Sequence, residues 1–330
     1  MRRLLLWGSV FVFLTALAVG VWFGVYVNTP SPGQGETTVT IAKGSSVRQI
    51  KRLLGSRGLI HDDVRFLVLA RLSGSSGRLR AGEFIIPLGL TPLEVLRLLE
   101  KGEIVYHRLT IPEGKTVSQI AELYARDGWV DRQRFLTLTR NKDFIHELGL
   151  KQDSLEGYLF PDTYLLVLGE VDERSVITMM VQHFFTVWDE VSKTGTTLLN
   201  RHEVVTLASI VEKETAAPRE RPLIAQVFLH RLERGMRLQT DPTVIYGLEN
   251  FNGNLTRADL KRETPYNTYV IAGLPPGPIC NPGRAAMEAI FQPADSDALY
   301  FVSRNDGTHH FSRTFKEHNR AVYKFQKSKR

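Results

Sequence analysis

A chain of 330 residues, 43% hydrophobic and 23% charged, has the apolar content to bury a core, which excludes a disordered protein and favours two compact units with appendages. Its 42 basic against 35 acidic residues leave a formal charge of +7, spread without an arginine–aromatic module, so no nucleic-acid partner is indicated. The single cysteine, Cys280, excludes an intrachain disulfide and any multi-cysteine metal site.

After Met1-Arg2-Arg3, residues 4–27 run LLLWGSVFVFLTALAVGVWFGVYV without a charge. As a helix this run is about 36 Å long, enough to cross a bilayer with some tilt. Arg2 and Arg3 favour a cytoplasmic N-terminus, so 1–3 reads as a cytoplasmic tail, 4–27 as a single-pass transmembrane helix and the remainder as extracytoplasmic. The rival is a cleaved signal peptide, because Ala16-Leu17-Ala18 resembles a cleavage tripeptide; against it, the apolar run continues well beyond Ala18. Either version exports the body of the chain.

Residues 28–36, NTPSPGQGE, read as a Pro/Gly-rich linker. A pattern then appears twice at an offset of 70 residues: VTIAKGSSVRQIKRLLGSRGLI over 39–60 and LTIPEGKTVSQIAELYARDGWV over 109–130. Each copy is a short strand, a glycine (Gly44, Gly114), a Ser/Thr–Val start, Gln–Ile in a helix and a closing glycine (Gly58, Gly128). Between them, Thr91 caps and Pro92 opens a helix in TPLEVLRLLEKGE. The unit resembles the glycan-binding LysM unit, with sugar binding and a packing role both open.

A helical stretch near 116–148 leads to LEGYLFPDTY at 155–164, and 173–192 is helical. Asn200 and Glu203 form a capping-box signature for a helix over about 201–216; a second runs over about 219–234 and stops at Gly235. Residues 236–285 have little periodicity, 284–292 form a short helix, 298–303 and 308–312 a hairpin, and 314–326 a terminal helix. The site is expected where the 201–216 helix meets the irregular segment.

That helix carries Glu212 and Glu214 within LASIVEKETA. Counting back three, four and seven from Glu214 meets Val211, Ile210 and Leu207, all apolar, whereas Glu212 meets Ser209, Ala208 and Val205. Glu214 is therefore the one expected to be desolvated, and desolvation raises a carboxyl pKa toward what a general acid needs. The plain alternative is a solubilising helix end neutralised by Lys213, Arg219 or Arg221. Downstream, MRLQTDPTVIYGL at 236–248 and TPYNTYVIAGLPPGPICNPG at 264–283 set amides, hydroxyls and phenol rings on a glycine- and proline-fixed loop, suited to a hydroxyl-rich ligand. No metal-ligand spacing, nucleophile elbow, phosphate loop or dinucleotide fingerprint is present, so no metal or cofactor is expected. Cys280 reads as a packing residue.

Together, EGYLFPDTY at 156–164, ASIVEKE at 208–214, RLERGMRLQTDPTVIYGL at 231–248 and the YNTY…GLPPGPI…NPG run at 266–283 closely resemble the endolytic murein transglycosylases, the YceG-like family, over nearly the whole chain. The resemblance implies an α+β protein. An N-terminal transmembrane helix and a LysM-like region (37–105) would precede a mixed catalytic domain (106–330), whose first part (109–150) is a second LysM-like unit and whose core is 151–330. It makes Glu214 the catalytic residue and sets Glu156, Gln239, Thr240, Asp241, Tyr246, Asn267 and Tyr269 at or near a substrate groove. The implied activity is cleavage of MurNAc–GlcNAc β-1,4 bonds within nascent peptidoglycan strands, leaving 1,6-anhydroMurNAc ends and setting strand length. The implied location is the bacterial cytoplasmic (inner) membrane with a periplasmic or extracytoplasmic catalytic domain, beside peptidoglycan synthases and the elongation or division machinery. Asp241 keeps a hydrolase reading open, and a non-catalytic peptidoglycan-binding scaffold is the third.

Overall fold

The computed structural model describes residues 2–215 and 217–327, with side chains from Leu6 onward. Met1 and the side chains of Arg2 and Arg3, the expected cytoplasmic tail, lie outside that description, as does Ala216 at the end of the helix expected over 201–216. The fold is mixed α+β and divides into two compact units. One comprises Met1–Arg108 with Leu165–Val171, the other Leu109–Tyr164 with Asp172–Arg330.

In the first unit, α1 (Arg2–Asn28) is one continuous helix whose Leu6–Asn28 part is long and apolar enough to cross a membrane. Most of its described side chains are exposed, but Tyr26 is buried and Phe23 and Val27 pack on the unit's core. β1 (Glu36–Ile41) follows, then α2 (Val47–Ser56), α3 (Arg65–Leu72), β2 (Gly82–Pro87) and α4 (Pro92–Lys101). β1 and β2 pair antiparallel with Val39 opposite Phe84, and the strand alternation turns Val39, Ile41, Phe84 and Ile86 inward. The linker between α1 and β1 does not swing freely. Ser31 N–H donates to Leu90 C=O at 2.9 Å, and Gly35 C=O accepts from Leu88 N–H at 2.8 Å, so its polar backbone finds partners just past β2.

The repeated sequence skeleton folds the same way both times. Ser46 caps α2, and Thr116 caps α5 (Val117–Arg126), which follows β3 (His107–Thr110); in each case a glutamine three residues on, Gln49 or Gln119, closes a capping box. Gly58 and Gly128 end the two helices at φ +70° and +75°, a left-handed turn that favours glycine. Thr91 caps α4 with Glu94, and Pro92 occupies its first turn.

In the second unit the expected 116–148 stretch is broken into α5, α6 (Arg132–Leu138) and α7 (Lys142–Glu147), because Asp131 and Asn141 each cap a fresh start. β4 (Thr163–Leu166) begins in this unit, its last two residues being counted with the first, and is followed by α8 (Glu173–Val191), α9 (Arg201–Glu214), α10 (Arg221–Glu233), α11 (Asp241–Tyr246) and α12 (Arg284–Phe291). The hairpin of β5 (Tyr300–Ser303) and β6 (His309–Ser312) and then α13 (Phe315–Val322) follow. The segment expected to be irregular thus contains α11, and also a 3₁₀ turn at Asp259–Lys261. α9 lies at the centre of this unit, packed by α10, α11 and α12, and every residue from Val204 to Val211 is buried.

A buried carboxylate fastens the segments around α9. Glu156 accepts from Val117 N–H at 3.0 and 3.2 Å, from Asn281 Nδ2 at 3.0 Å and from the Tyr246 hydroxyl at 3.2 Å. Asn281, fully buried, also donates to Lys115 C=O and accepts from Leu159 N–H. Burial pushes the Glu156 carboxyl up to about 7, against the bonds from Val117, Tyr246 and Asn281 that favour its ionised form.

The residue next to Glu156 shows how tight this packing is. At Gly157 (φ +89°) a Cβ would stand 2.4 Å from Pro278 Cγ and 2.8 Å from Val205 Cγ1; at Gly128 (φ +75°) it would meet open space. Gly128→Ala should therefore cost about 1–2 kcal/mol of backbone strain, and Gly157→Ala about 3–5 kcal/mol once overpacking is added. Denaturant midpoints of the two variants check this, and equal losses would mean that Pro278 and Val205 yield.

Candidate active site

α9 delivers both glutamates of its last turn to different surroundings. Glu212 is enclosed: its side chain is 7% exposed, one oxygen receives Arg221 Nη2 at 3.0 Å and the other accepts from Gly283 N–H at 3.0 Å. Ser209 and Glu212 together staple the 279–283 segment to α9, since Ile279 N–H donates to Ser209 Oγ at 3.0 Å and the Cys280 thiol donates to Ser209 C=O at 3.3 Å. Cys280 is wholly buried, and that burial pushes its thiol pKa upward, as befits a packing residue. The helical wheel separated a desolvated Glu214 from a less shielded Glu212. The structure encloses both, because the middle of α9, Val204–Val211, is buried all round and not along one stripe.

Glu214 is the last residue of α9; Thr215 leaves in an extended conformation (φ −142°, ψ 138°), so the helix end opens on a cleft. That cleft is lined by Glu214, Arg231, Gln239, Thr240, Asp241 and Tyr269, closed by Phe301 and His309 of the hairpin and His318 of α13. Thr240 donates its hydroxyl to Glu214 Oε1. Burial pushes the Glu214 carboxyl up to about 7; the Thr240 bond, His309 and Arg231 lower it, while Asp241 raises it. A carboxyl poised there holds both protonation states accessible near neutrality, the condition for a group that donates and then accepts one proton.

The loop bearing Gln239 to Asp241 is held from behind. Gln239 adopts φ +52°, a left-handed backbone rare outside glycine, and its N–H donates to Thr268 C=O at 3.2 Å. Arg231, buried, donates to the carbonyls of Leu238 at 2.5 Å and Leu299 at 2.8 Å, tying this loop to the hairpin. Tyr269 donates its hydroxyl to Asp241 Oδ1 at 2.7 Å, which fixes both side chains at the cleft.

Three of the expected groove residues lie elsewhere. Glu156 and Tyr246 belong to the buried knot described above. Asn267, fully buried, donates Nδ2 to the carbonyls of Asp259, Leu260 and Arg262 and accepts from Tyr269 N–H at 2.9 Å. It folds the loop that presents Tyr269. The sequence reading missed Arg231, His309 and Glu220. Glu220, buried, accepts from His309 N–H at 2.9 Å and pairs with His309 Nδ1 at 2.7 Å, which leaves Nε2 as the nitrogen available to the cleft. These residues are 89 positions apart, and no local spacing could have joined them.

Comparison with known proteins gives this site its context. A profile of the YceG-like family matches residues 39–324. An endolytic murein transglycosylase of Bacillus subtilis (strain 168) is 31% identical over 328 residues, covering 93% of this chain and 90% of the relative. An endolytic murein transglycosylase of Streptococcus pneumoniae (strain D39) is 30% identical over 364 residues, covering 97% of this chain, which spans 65% of that longer protein. The crystal structure of a YceG-like protein from Listeria monocytogenes superposes with a TM-score of 0.58 at 33% identity, covering 88% of this chain and 100% of that one. The chain belongs to the YceG-like family.

Proposed function

We propose that this chain is a membrane-anchored endolytic lytic transglycosylase of peptidoglycan, with Glu214 as its acid/base. One observation carries the reading: Glu214 ends a buried helix, opens on a cleft, and has its carboxyl pushed up to about 7. Protonated, it gives its proton to the GlcNAc O4 as the MurNAc–GlcNAc β-1,4 bond breaks and positive charge grows at the MurNAc anomeric carbon. The resulting carboxylate takes the proton of the MurNAc C6 hydroxyl as that oxygen closes on the same carbon. The product is a 1,6-anhydroMurNAc end. Because the nucleophile is intramolecular, one carboxyl serves both steps. Gln239, Thr240, Asp241 and Tyr269 line the sugar-binding cleft, while Glu156, Tyr246 and Asn267 act from behind it by holding its loops.

The name shared by the bacillar and streptococcal relatives supports the substrate. α1, apolar through Leu6–Asn28, supports a single-pass anchor with a cytoplasmic N-terminus and the rest outside the cytoplasmic membrane. The doubled strand–turn–helix unit supports the LysM-like reading of 37–105 and 109–150. Action on nascent strands beside synthases, and control of strand length, complete the proposal. Asp241 supports a hydrolase as the second reading, since it sits in the same cleft and its charge raises the Glu214 carboxyl.

Product analysis separates these readings. Full-length protein in detergent, mixed with purified glycan strands, should yield internal fragments ending in 1,6-anhydroMurNAc. Glu214→Gln should lower the rate by about 10²–10⁴. Reducing ends would establish the hydrolase instead, and unaltered cleavage by Glu214→Gln would remove Glu214 from the chemistry. Glu212→Gln should behave differently, losing about 1–3 kcal/mol of stability because the enclosed Arg221 then keeps only the longer ion pair to Glu113, at 3.4 Å.

The pH profile supplies a second test. Since the acid form of Glu214 must be present at the first step, kcat/KM should fall as pH rises through about 7. Thr240→Val removes a hydrogen bond that favours the ionised carboxyl, so the alkaline limb should move to higher pH. An unmoved limb in that variant would assign the titration to another group.

A further inference from the structure

α3 is apolar nearly all the way round. Its sequence, RFLVLARL, buries Phe66, Leu69 and Ala70 in the core of the first unit. Val64, at its N-cap, and Val68 and Leu72 on its other face remain 58%, 40% and 73% exposed. Spaced four apart, these three stand in one line along the helix. A scattered exposed leucine needs no explanation, but an aligned row opposite a buried face leaves the helix without a polar side. Its charges are Arg65 in the first turn and Arg71, exposed, in the last.

The position of α3 says what covers that row. The Arg65 guanidinium lies 4.8 Å from the centroid of the Trp22 ring and 4.3 Å from that of Tyr26, so the first turn of α3 is fixed against the end of α1. Hydrocarbon is crossed by about 20 apolar residues, which counted from Leu4 end at Phe23. Packing against the protein core begins at that same point, with Phe23, Tyr26 and Val27. Trp22 and Tyr26 therefore stand at headgroup level, where amphipathic rings settle, and Arg65 starts α3 at the same level.

We propose that α3 lies in the membrane interface, with Val64, Val68 and Leu72 inserted at the acyl boundary of the leaflet from which α1 emerges. Arg71 meets phospholipid phosphates there. This rests on the reading of α1 as a retained anchor and goes beyond it: a single span lets a domain pivot, whereas a span plus an interfacial helix fixes how the first unit faces the bilayer. The pinning of Ser31 and Gly35 to the segment after β2 removes slack from the same connection.

Depth measurement on the full chain in phosphatidylcholine/phosphatidylglycerol vesicles tests it. Val68→Cys, Leu14→Cys and Ile85→Cys are each labelled with an environment-sensitive fluorophore; native Cys280 is wholly buried and does not compete for the label. Ile85, 49% exposed on β2, serves as the aqueous reference and Leu14, in α1, as the bilayer reference. Position 68 should be quenched by lipids carrying a shallow spin label and should show iodide quenching several-fold below that of position 85. Iodide quenching at 68 equal to that at 85, with 14 still quenched by lipid, overturns the interfacial helix and leaves the anchor standing. Protection of 68 from both quenchers overturns it in favour of a protein cover, whether a second copy or a partner. Loss of lipid quenching at 14 removes the anchor reading, and the proposal with it.

Discussion

Glu156 is the constraint on which the second unit's geometry depends. It is a buried acid surrounded by donors from three distant stretches: Val117 at the start of α5, Tyr246 at the end of α11 and Asn281 before α12. A buried donor without an acceptor loses its hydration for nothing, so each of these groups needs this one carboxylate. Asn281 passes the constraint on, with one amide hydrogen on Glu156, the other on Lys115 C=O, and its oxygen on Leu159 N–H. The chain on either side inherits the same register: Gly157 closes against Pro278, and Lys115 bridges Asn281.

That register determines what α9 can present. Ser209 and Glu212 are consumed by the 279–283 segment, and Glu212 is further neutralised by Arg221, so these polar groups on the helix have structural partners. Glu214, two residues past the last of these staples, is left to the cleft. Its hydroxyl donor, Thr240, is itself fixed by Thr268, which receives the Thr240 N–H at 3.1 Å. The proposed acid/base thus stands on a helix with no freedom to turn, and a loop held by a buried arginine and a left-handed glutamine sets its protonation. Low mobility of both partners is what keeps a raised carboxyl pKa from relaxing.

The first unit is organised around a two-stranded sheet and an unusual neighbour. Its core takes in one face of the last turns of α1, through Phe23, Tyr26 and Val27, so an apolar helix that begins as exposed surface ends packed on protein along that face. Arg65 marks the changeover, paired with Asp63 at its side and stacked on Trp22 and Tyr26. A guanidinium tolerates that place because its flat face accepts an aromatic ring while its edge keeps a carboxylate.

Local chemistry was readable before any coordinates. The 70-residue repeat showed its Ser/Thr–Val helix starts and its glycine stops at Gly58 and Gly128, to which the structure adds the capping boxes at Ser46 and Thr116, because capping is decided within four residues. The starts of α4, α8 and α9, the hairpin and the apolar span were legible for the same reason: each is written in short-range periodicity or in a single punctuating residue. Five of the eight residues the sequence pointed to meet in one cleft, yet the text alone could not say why Glu156, Tyr246 and Asn267 stand apart from it. Nor could it show that Arg221 and Gly283 enclose Glu212, that Glu220 orients His309, or that Arg231 ties two loops together. Those facts belong to contacts between residues tens of positions apart, where no local period operates and where the unbroken burial of Val204–Val211 erases the distinction a helical wheel can draw.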